Sequence, residues 1–269
     1  MNLNLFSKEM RYNAFSMILW MVIISFLVAF TMSVYPTFLE NQSKVMGMMS
    51  LVPKGALQFK GISDVADLAS ALGFYAINNV IYMMVLGSVF SIVLACNILL
   101  KEEYGKTAEY LLTRPLTRNS VFFTKLAVVI LCIFLLNLVT ALAGFISLKI
   151  VQKEAFPVSA FLILSVYTFL LNMLFAALGL FMSTLVKRPK PITTFGIALV
   201  LVFYFLFTIS KITENASQIG YLSPFKYVRT DVLNESYGLS SWHLLYFAGL
   251  SLVLITISYR LYRRKDIYT

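Results

Sequence analysis

Residues 68–100, LASALGFYAINNVIYMMVLGSVFSIVLACNILL, decide the fold of this chain, because the whole stretch carries no charged side chain. A helix needs about 20 apolar residues to cross the hydrocarbon core of a bilayer, so this stretch is long enough. In lipid the backbone must satisfy its own hydrogen bonds, and an uninterrupted run of this length fits a helix rather than short barrel strands. The stretch therefore predicts a transmembrane helix.

Further charge-free stretches of similar character occupy most of the remaining chain. They are Tyr12–Leu39, Leu126–Leu148, Ala155–Val186, Pro191–Ser210 and Ser236–Tyr259. The composition agrees, with 13% charged residues and a mean hydropathy of +0.83, whereas soluble domains carry roughly 25% charged residues. Residues 1–269 are therefore predicted to form a single all-α integral membrane domain of six transmembrane helices.

The basic residues predict the orientation of these helices. With six alternating spans, fourteen of the 22 Lys and Arg residues lie on the side of both termini. The positive-inside rule then places both termini in the cytoplasm. The net charge of +10 does not indicate nucleic-acid binding, because the basic residues flank apolar spans, where anionic membrane lipids are the expected partners.

The N-terminal segment, residues 1–14, places Leu3, Phe6 and Met10 at near-helical spacing. This pattern predicts a short helix on the inner membrane surface, with a frayed tail as the alternative. A cleaved signal peptide is disfavoured, because the apolar run that follows is longer than a typical signal core of about 7–15 residues.

An outer segment is predicted at residues 211–241, between the fifth and sixth spans. It contains YLSPFKY at Tyr221–Tyr227, where interfacial aromatic side chains and a helix-interrupting proline suggest a short re-entrant hairpin. Pro224 and Phe225 are the candidates for an external gate. A second outer segment, residues 40–67, either covers the outer mouth or packs against the spans.

The most informative polar stretch is KEEYGKTAEYLLTRPLTRNSVFFTK at Lys101–Lys125. Its first half has helical amphipathic spacing, and Pro115 bends the chain towards the third span, so residues 101–118 are predicted to form a cytoplasmic elbow. Gly105-Lys106-Thr107 resembles a phosphate-binding loop, but Leu100 stands where the motif needs a glycine. No ATP binding by this chain is predicted, and no enzyme activity.

These residues resemble the ABC-2 type transporter permeases, the membrane subunits of a group of ABC exporters. The residues of this chain that resemble the family pattern are Glu103, Gly105, Glu109, Leu111, Leu112, Pro115, Arg118 and Lys125. The resemblance implies that the elbow is a coupling helix that docks on a separate ATPase subunit. The residues implied in docking are Glu102, Glu103, Tyr104, Gly105, Glu109, Leu111, Leu112, Pro115 and Arg118. A solvated helix face is the alternative.

The resemblance also implies a complex with two ATPase copies and a second permease subunit, giving a homodimer in the leading hypothesis. ATP and magnesium would bind the ATPase partner, and this chain would bind no cofactor. The complex would export its substrate across a bacterial plasma membrane by alternating access. The 23 Phe and 15 Tyr residues suit an apolar or amphipathic substrate such as a peptide, drug or lipid-like molecule, with packing against lipid as the alternative reason for them. An ATP-independent channel or secondary transporter is the alternative function.

Polar residues within the predicted spans bear on the energy source and the pathway. No Asp, Glu, Lys or Arg residue lies inside the charge-free stretches, whereas proton-coupled transporters generally place ionisable groups in the membrane. Asn78, Asn79, Asn137 and Asn172 are candidate pathway-lining residues, with hydrogen bonding between helices as the alternative. Cys96 and Cys132 are expected only to pack, and the single histidine, His243, to anchor at the interface. No metal site is predicted.

Overall fold

The computed structural model describes residues 2–49, 52, 68–104, 117–152, 156–186, 189–212, 216–234 and 236–264. Within these ranges the chain is helical, and six helices are long and apolar enough to cross a membrane. In chain order these first to sixth spans are Leu3–Glu40, Ala71–Lys101, Arg118–Val151, Val158–Leu185, Ile192–Ile212 and Ser241–Arg264. The prediction of an all-α protein with six spans is confirmed, while its orientation stays a prediction.

The second span is built from three helical pieces. An α-helix at Ala71–Asn79 passes into a π-helix at Val80–Leu86, and an α-helix at Gly87–Tyr104 follows. The fifth span belongs to the helix Pro189–Ile212. Shorter elements lie outside the spans: a helix at Gln42–Met49 and two 3-10 turns at Ile219–Leu222 and Pro224–Tyr227.

The second span lies at the centre of the helix bundle. Its most apolar segment is 78% buried, against 28% for the first span and 17% for the sixth. It packs mainly against the fourth and fifth spans, while the first span packs on the third and the sixth on the fourth. Large apolar side chains such as Phe15, Phe26 and Phe30 face outward, as expected where the solvent is lipid.

The N-terminal segment differs from its prediction. Residues 3–40 form one continuous helix of 38 residues, about 57 Å long at 1.5 Å per residue, and not a separate surface helix over residues 1–14. Asn2 caps the helix by accepting a hydrogen bond from the Leu5 backbone at 3.0 Å. The Asn2 backbone N–H donates to Thr124 Oγ1 at 3.1 Å, which fastens this end to the third span.

Candidate functional site

The elbow between the second and third spans is described only at its two ends. The second-span helix continues to Tyr104, and the third span begins at Arg118 with Thr117 as its N-cap. Gly105, Glu109, Leu111, Leu112 and Pro115 lie outside the described residues, as do the side chains of Glu102, Glu103 and Tyr104. Their assignment to a coupling helix therefore stays a prediction.

Arg118 is the one residue of the predicted docking set whose side chain is described. Its Nη1 donates to the backbone oxygen of Arg263 at 3.3 Å, which joins the start of the third span to the end of the sixth. Phe122 strengthens this contact, with its ring centroid 5.5 Å from Tyr259 and 5.7 Å from Tyr262. The elbow thus leads into a packed helix pair.

A buried ionic cluster lies at the same end of the bundle. The carboxylate of Glu9, from the first span, pairs through Oε2 with Lys101 Nζ, and its Oε1 lies 3.3 Å from Lys125 Nζ. The side chains of Glu9 and Lys125 are 1% and 0% exposed. Lys125 also donates to the backbone oxygen of Ile98, and Lys101 Nζ lies 4.0 Å from the centre of the Tyr12 ring. The cluster therefore joins three spans.

Sequence analysis does not identify this cluster. It names only the apolar residues of the N-terminal segment and includes Lys125 only as a position of the family pattern. A signal is nonetheless present, since Glu9 is the single acidic residue before the first charge-free stretch, in a segment otherwise basic. Charges at the ends of neighbouring spans are candidates for pairing, because a buried charge needs a partner.

A cleft of about 990 Å³ opens beside this cluster, between the first, second and fifth spans. Its apolar lining includes Trp20, Phe90 and Val93. Its polar lining comprises Asn13, Ser16, Asn97, Lys101, Thr193 and Thr194. Thr193 Oγ1 donates to Asn97 Oδ1 at 3.2 Å, which bridges the second and fifth spans. The cleft is large enough for a small-molecule ligand, for which pockets of about 300–1,000 Å³ are typical.

The predicted pathway asparagines pair with other residues inside the bundle, away from this cleft. Asn172 Nδ2 donates to Asn137 Oδ1 at 3.3 Å, and Asn172 Oδ1 accepts from Ser88 at 3.2 Å. Asn79 Nδ2 donates to Thr168 Oγ1 at 3.2 Å, and Asn78 donates to its own helix backbone at Phe74. The bonds of Asn79, Asn137 and Asn172 link the second, third and fourth spans, whereas that of Asn78 stays within its own helix. Asn79 and Asn137 do line one small cavity within the bundle.

The outer segment forms two successive 3-10 turns in the region where a re-entrant hairpin is predicted. Phe225 is 0% exposed, and its ring centroid lies 5.4 Å from that of Phe175 and 5.8 Å from that of Tyr204. Ser223 donates to the backbone oxygen of Phe203 at 2.7 Å. The outer segment therefore packs between the fourth and fifth spans at Pro224 and Phe225.

Nearby, His243 lies between two aromatic rings, with centroids 6.1 Å from both Tyr167 and Tyr227. The Tyr227 ring stacks on Tyr246 at 4.0 Å. The histidine therefore lies among aromatic rings, and its role as an interfacial anchor stays a prediction.

Six apolar spans around a central second span define the class: a multi-pass helical membrane protein. A family model described as ABC-2 family transporter protein matches residues 3–267. The chain therefore belongs to this family, and the resemblance noted in the elbow is confirmed. Membership makes it a membrane transport protein and implies association with an ABC ATPase subunit. Among curated proteins, none matches the chain.

Proposed function

We propose that this chain is the permease subunit of an ATP-driven exporter that moves an apolar or amphipathic substrate out of the cell. The energy comes from a separate ATPase subunit that binds ATP and magnesium and docks on the elbow at residues 101–118. The membrane is the plasma membrane of a bacterium, and both termini face the cytoplasm.

The observation that carries this proposal is the position of Lys101. This residue lines the cleft between three spans and also stands at the entry to the elbow. A movement imposed on the elbow by an ATPase would therefore act directly on one wall of the cleft. A rigid connection between a motor contact and a ligand cleft is what alternating access requires.

The lining of the cleft supports an amphipathic substrate. Trp20, Phe90 and Val93 offer an apolar wall, while Asn97 and Thr193 place amide and hydroxyl groups among them. Pockets that bind small molecules combine mostly apolar walls with a few fixed polar groups. We regard the cleft as a better candidate pathway than the four asparagines, three of which hydrogen-bond to neighbouring spans.

We infer a complex of two permease subunits and two ATPase subunits. The described residues of one chain contribute six candidate spans, and the cleft lies open on the flank of the bundle. A second copy of this chain placed against that flank would close it. The homodimer is the simplest arrangement, because closed two-fold symmetry is the commonest form of assembly.

The proposal is tested by purifying the tagged permease from its native membrane. We expect an ATPase to copurify, and ATP-dependent export into inverted vesicles to stop when that ATPase is removed. Transport that continues without the ATPase would instead support an ATP-independent channel or secondary transporter.

The cleft is tested separately by Asn97→Leu, which should change substrate export without changing copurification of the ATPase. A matched control is Asn78→Leu, since Asn78 bonds only within its own helix in the described structure. An equal effect of both variants on export would contradict the assignment of the pathway to the cleft.

A further inference from the structure

We infer that Glu9 is a positioning residue that clamps both ends of the elbow to the first span. Lys101 stands where the chain enters the elbow, and Lys125 follows its exit by two turns of the third span. Both ammonium groups converge on the one carboxylate of Glu9. The inference rests on the proposed function, because it assigns a mechanical role within an ATPase-driven permease.

The geometry makes the cluster a junction rather than a surface ion pair. Each carboxylate oxygen of Glu9 faces a different lysine, so the two bonds can exist together. Lys125 is held a second time by the backbone oxygen of Ile98, in the second span. Lys101 is held a second time by the Tyr12 ring, one helical turn from Glu9. Side chains of three spans are therefore held together by non-covalent contacts around the Glu9 carboxylate.

Burial makes this junction stiff. An exposed ion pair exchanges its partners with water at little cost, whereas a buried charge that loses its partner is strongly destabilised. Glu9 is 1% exposed and Lys125 is 0% exposed, so neither group can turn to solvent when the helices move. The three span ends are therefore expected to move as one body.

This arrangement brings the first span into the coupling mechanism. The elbow connects covalently only to the second and third spans, so its displacement reaches the first span only through non-covalent contacts. The first span lines the cleft with Asn13, Ser16 and Trp20. Through Glu9, a displacement of the elbow would move this wall of the cleft together with the wall formed by the second span.

The test uses the complete complex in lipid nanodiscs. Spin labels are attached to cysteines at Thr37 and Ser159, both exposed and located on the first and fourth spans, after Cys96→Ala and Cys132→Ala. One permease copy per complex carries the labels. The distance between the labels is measured without nucleotide and with ATP and magnesium.

In the unsubstituted complex we expect ATP to change this distance. Lys101→Met should abolish the change while the ATPase still copurifies, because Lys125 continues to neutralise Glu9 and the fold survives. Glu9→Gln should abolish it as well. Lys101→Arg retains the charge pair and should therefore retain the ATP-dependent change in distance. If the side chain at position 101 only filled space, its charge would not matter.

Lys8→Met is the matched control. It removes the same charge from the same end of the first span, beside Glu9, but from an exposed side chain. A full ATP-dependent change in Lys101→Met would overturn the inference, as would an equal loss in Lys8→Met. Failure of the proposed function has a different signature, because then no ATPase copurifies even with the unsubstituted permease.

Discussion

At the scale of single residues, Gly179 allows the fourth span to touch the second. A Cβ at this position would lie 2.7 Å from the backbone oxygen of Ile92 and 2.9 Å from Ala95 Cβ. A backbone oxygen cannot turn aside as a side chain can. The two helices therefore pack this closely only because position 179 has no side chain.

Gly179→Ala should push these two spans apart and destabilise the protein by about 1–3 kcal/mol, as overpacking of a core does. The measurement is thermal unfolding in detergent, followed by loss of the monodisperse species. Gly249→Ala is the control, because a Cβ there meets no heavy atom of the described residues within 4 Å. Equal destabilisation by both substitutions would contradict the close approach.

Phe225 is the second residue whose role the structure makes testable. The sequence suggests an external gate, for which Phe225→Ala would alter substrate passage more than assembly. The ring is 0% exposed among aromatic neighbours, and truncating such a side chain typically costs about 3–5 kcal/mol. We therefore expect Phe225→Ala to lower thermal stability, whereas Leu222→Ala, 69% exposed in the preceding turn, should not. A stable variant with altered transport would instead support the gate.

At the scale of elements, the elbow is the part on which coupling depends. A flexible linker would absorb a displacement, whereas a stiff amphipathic helix would transmit it. Both flanks of the elbow are anchored: Lys101 to Glu9 in the first span, and Arg118 to the end of the sixth span. Force applied to the elbow would therefore reach four spans: the second and third through the chain itself, and the first and sixth through these two contacts.

Glu109→Lys should leave the permease in the membrane and abolish export, by weakening ATPase binding or by uncoupling hydrolysis. Loss of one member of a buried charged contact costs roughly 2–5 kcal/mol, while a rim charge mainly affects association rate. Glu102→Ala is expected to have the smaller effect. Insertion, ATPase copurification and export are measured in the same preparations, and normal export by Glu109→Lys would favour the solvated-face alternative.

The outer segment after Val228 contains an ion pair between Arg229 and Asp231. Arg229 donates to both carboxylate oxygens of Asp231, at 3.2 and 2.7 Å, and its backbone oxygen accepts from the Tyr237 hydroxyl at 3.0 Å. Partial burial would raise the pKa of Asp231, but hydrogen bonds from Arg229 and from the Asp231 backbone, together with the positive charges of Arg229 and Lys211, outweigh it and lower the pKa.

Because the pKa of Asp231 is lower in the folded state, its stabilising effect is complete above about pH 3.9, the unfolded value. The effect is lost as the pH falls through the lower folded value. Its size should stay below about 1 kcal/mol, because the pair is partly exposed and screened by water. The hydrogen-exchange protection factors of residues 228–234, corrected for the intrinsic pH dependence of exchange, should therefore fall at acidic pH, and Asp231→Asn should remove this fall. An unchanged dependence in Asp231→Asn would exclude this ion pair as its cause.

At the scale of the whole molecule, the positive-inside rule predicts that both termini and the elbow face the cytoplasm. Thr117 and Ser217 are both exposed, the first beside the elbow and the second in the outer segment. In a chain without Cys96 and Cys132, single cysteines at these positions should react with an impermeant reagent from opposite sides of the membrane. Labelling of both from the same side would contradict the alternating topology on which the cytoplasmic position of the elbow depends.

The sequence by itself determined the class of this protein and its six spans. A bilayer requires long apolar helices that satisfy their own hydrogen bonds, and that requirement is visible in each charge-free stretch separately. The family was also visible locally, in the residues from Glu103 to Lys125. These features need no knowledge of which helices are neighbours.

The tertiary structure alone decided which faces of the spans meet. It paired Glu9 with Lys101 and Lys125, joined Asn137 to Asn172, and opened the cleft between the first, second and fifth spans. A membrane helix is apolar on its lipid face and on its protein face alike, so its sequence carries little periodic signal for its partners. The contacts of this protein depend instead on the three-dimensional fit of small residues, hydrogen bonds and buried charges between neighbouring helices.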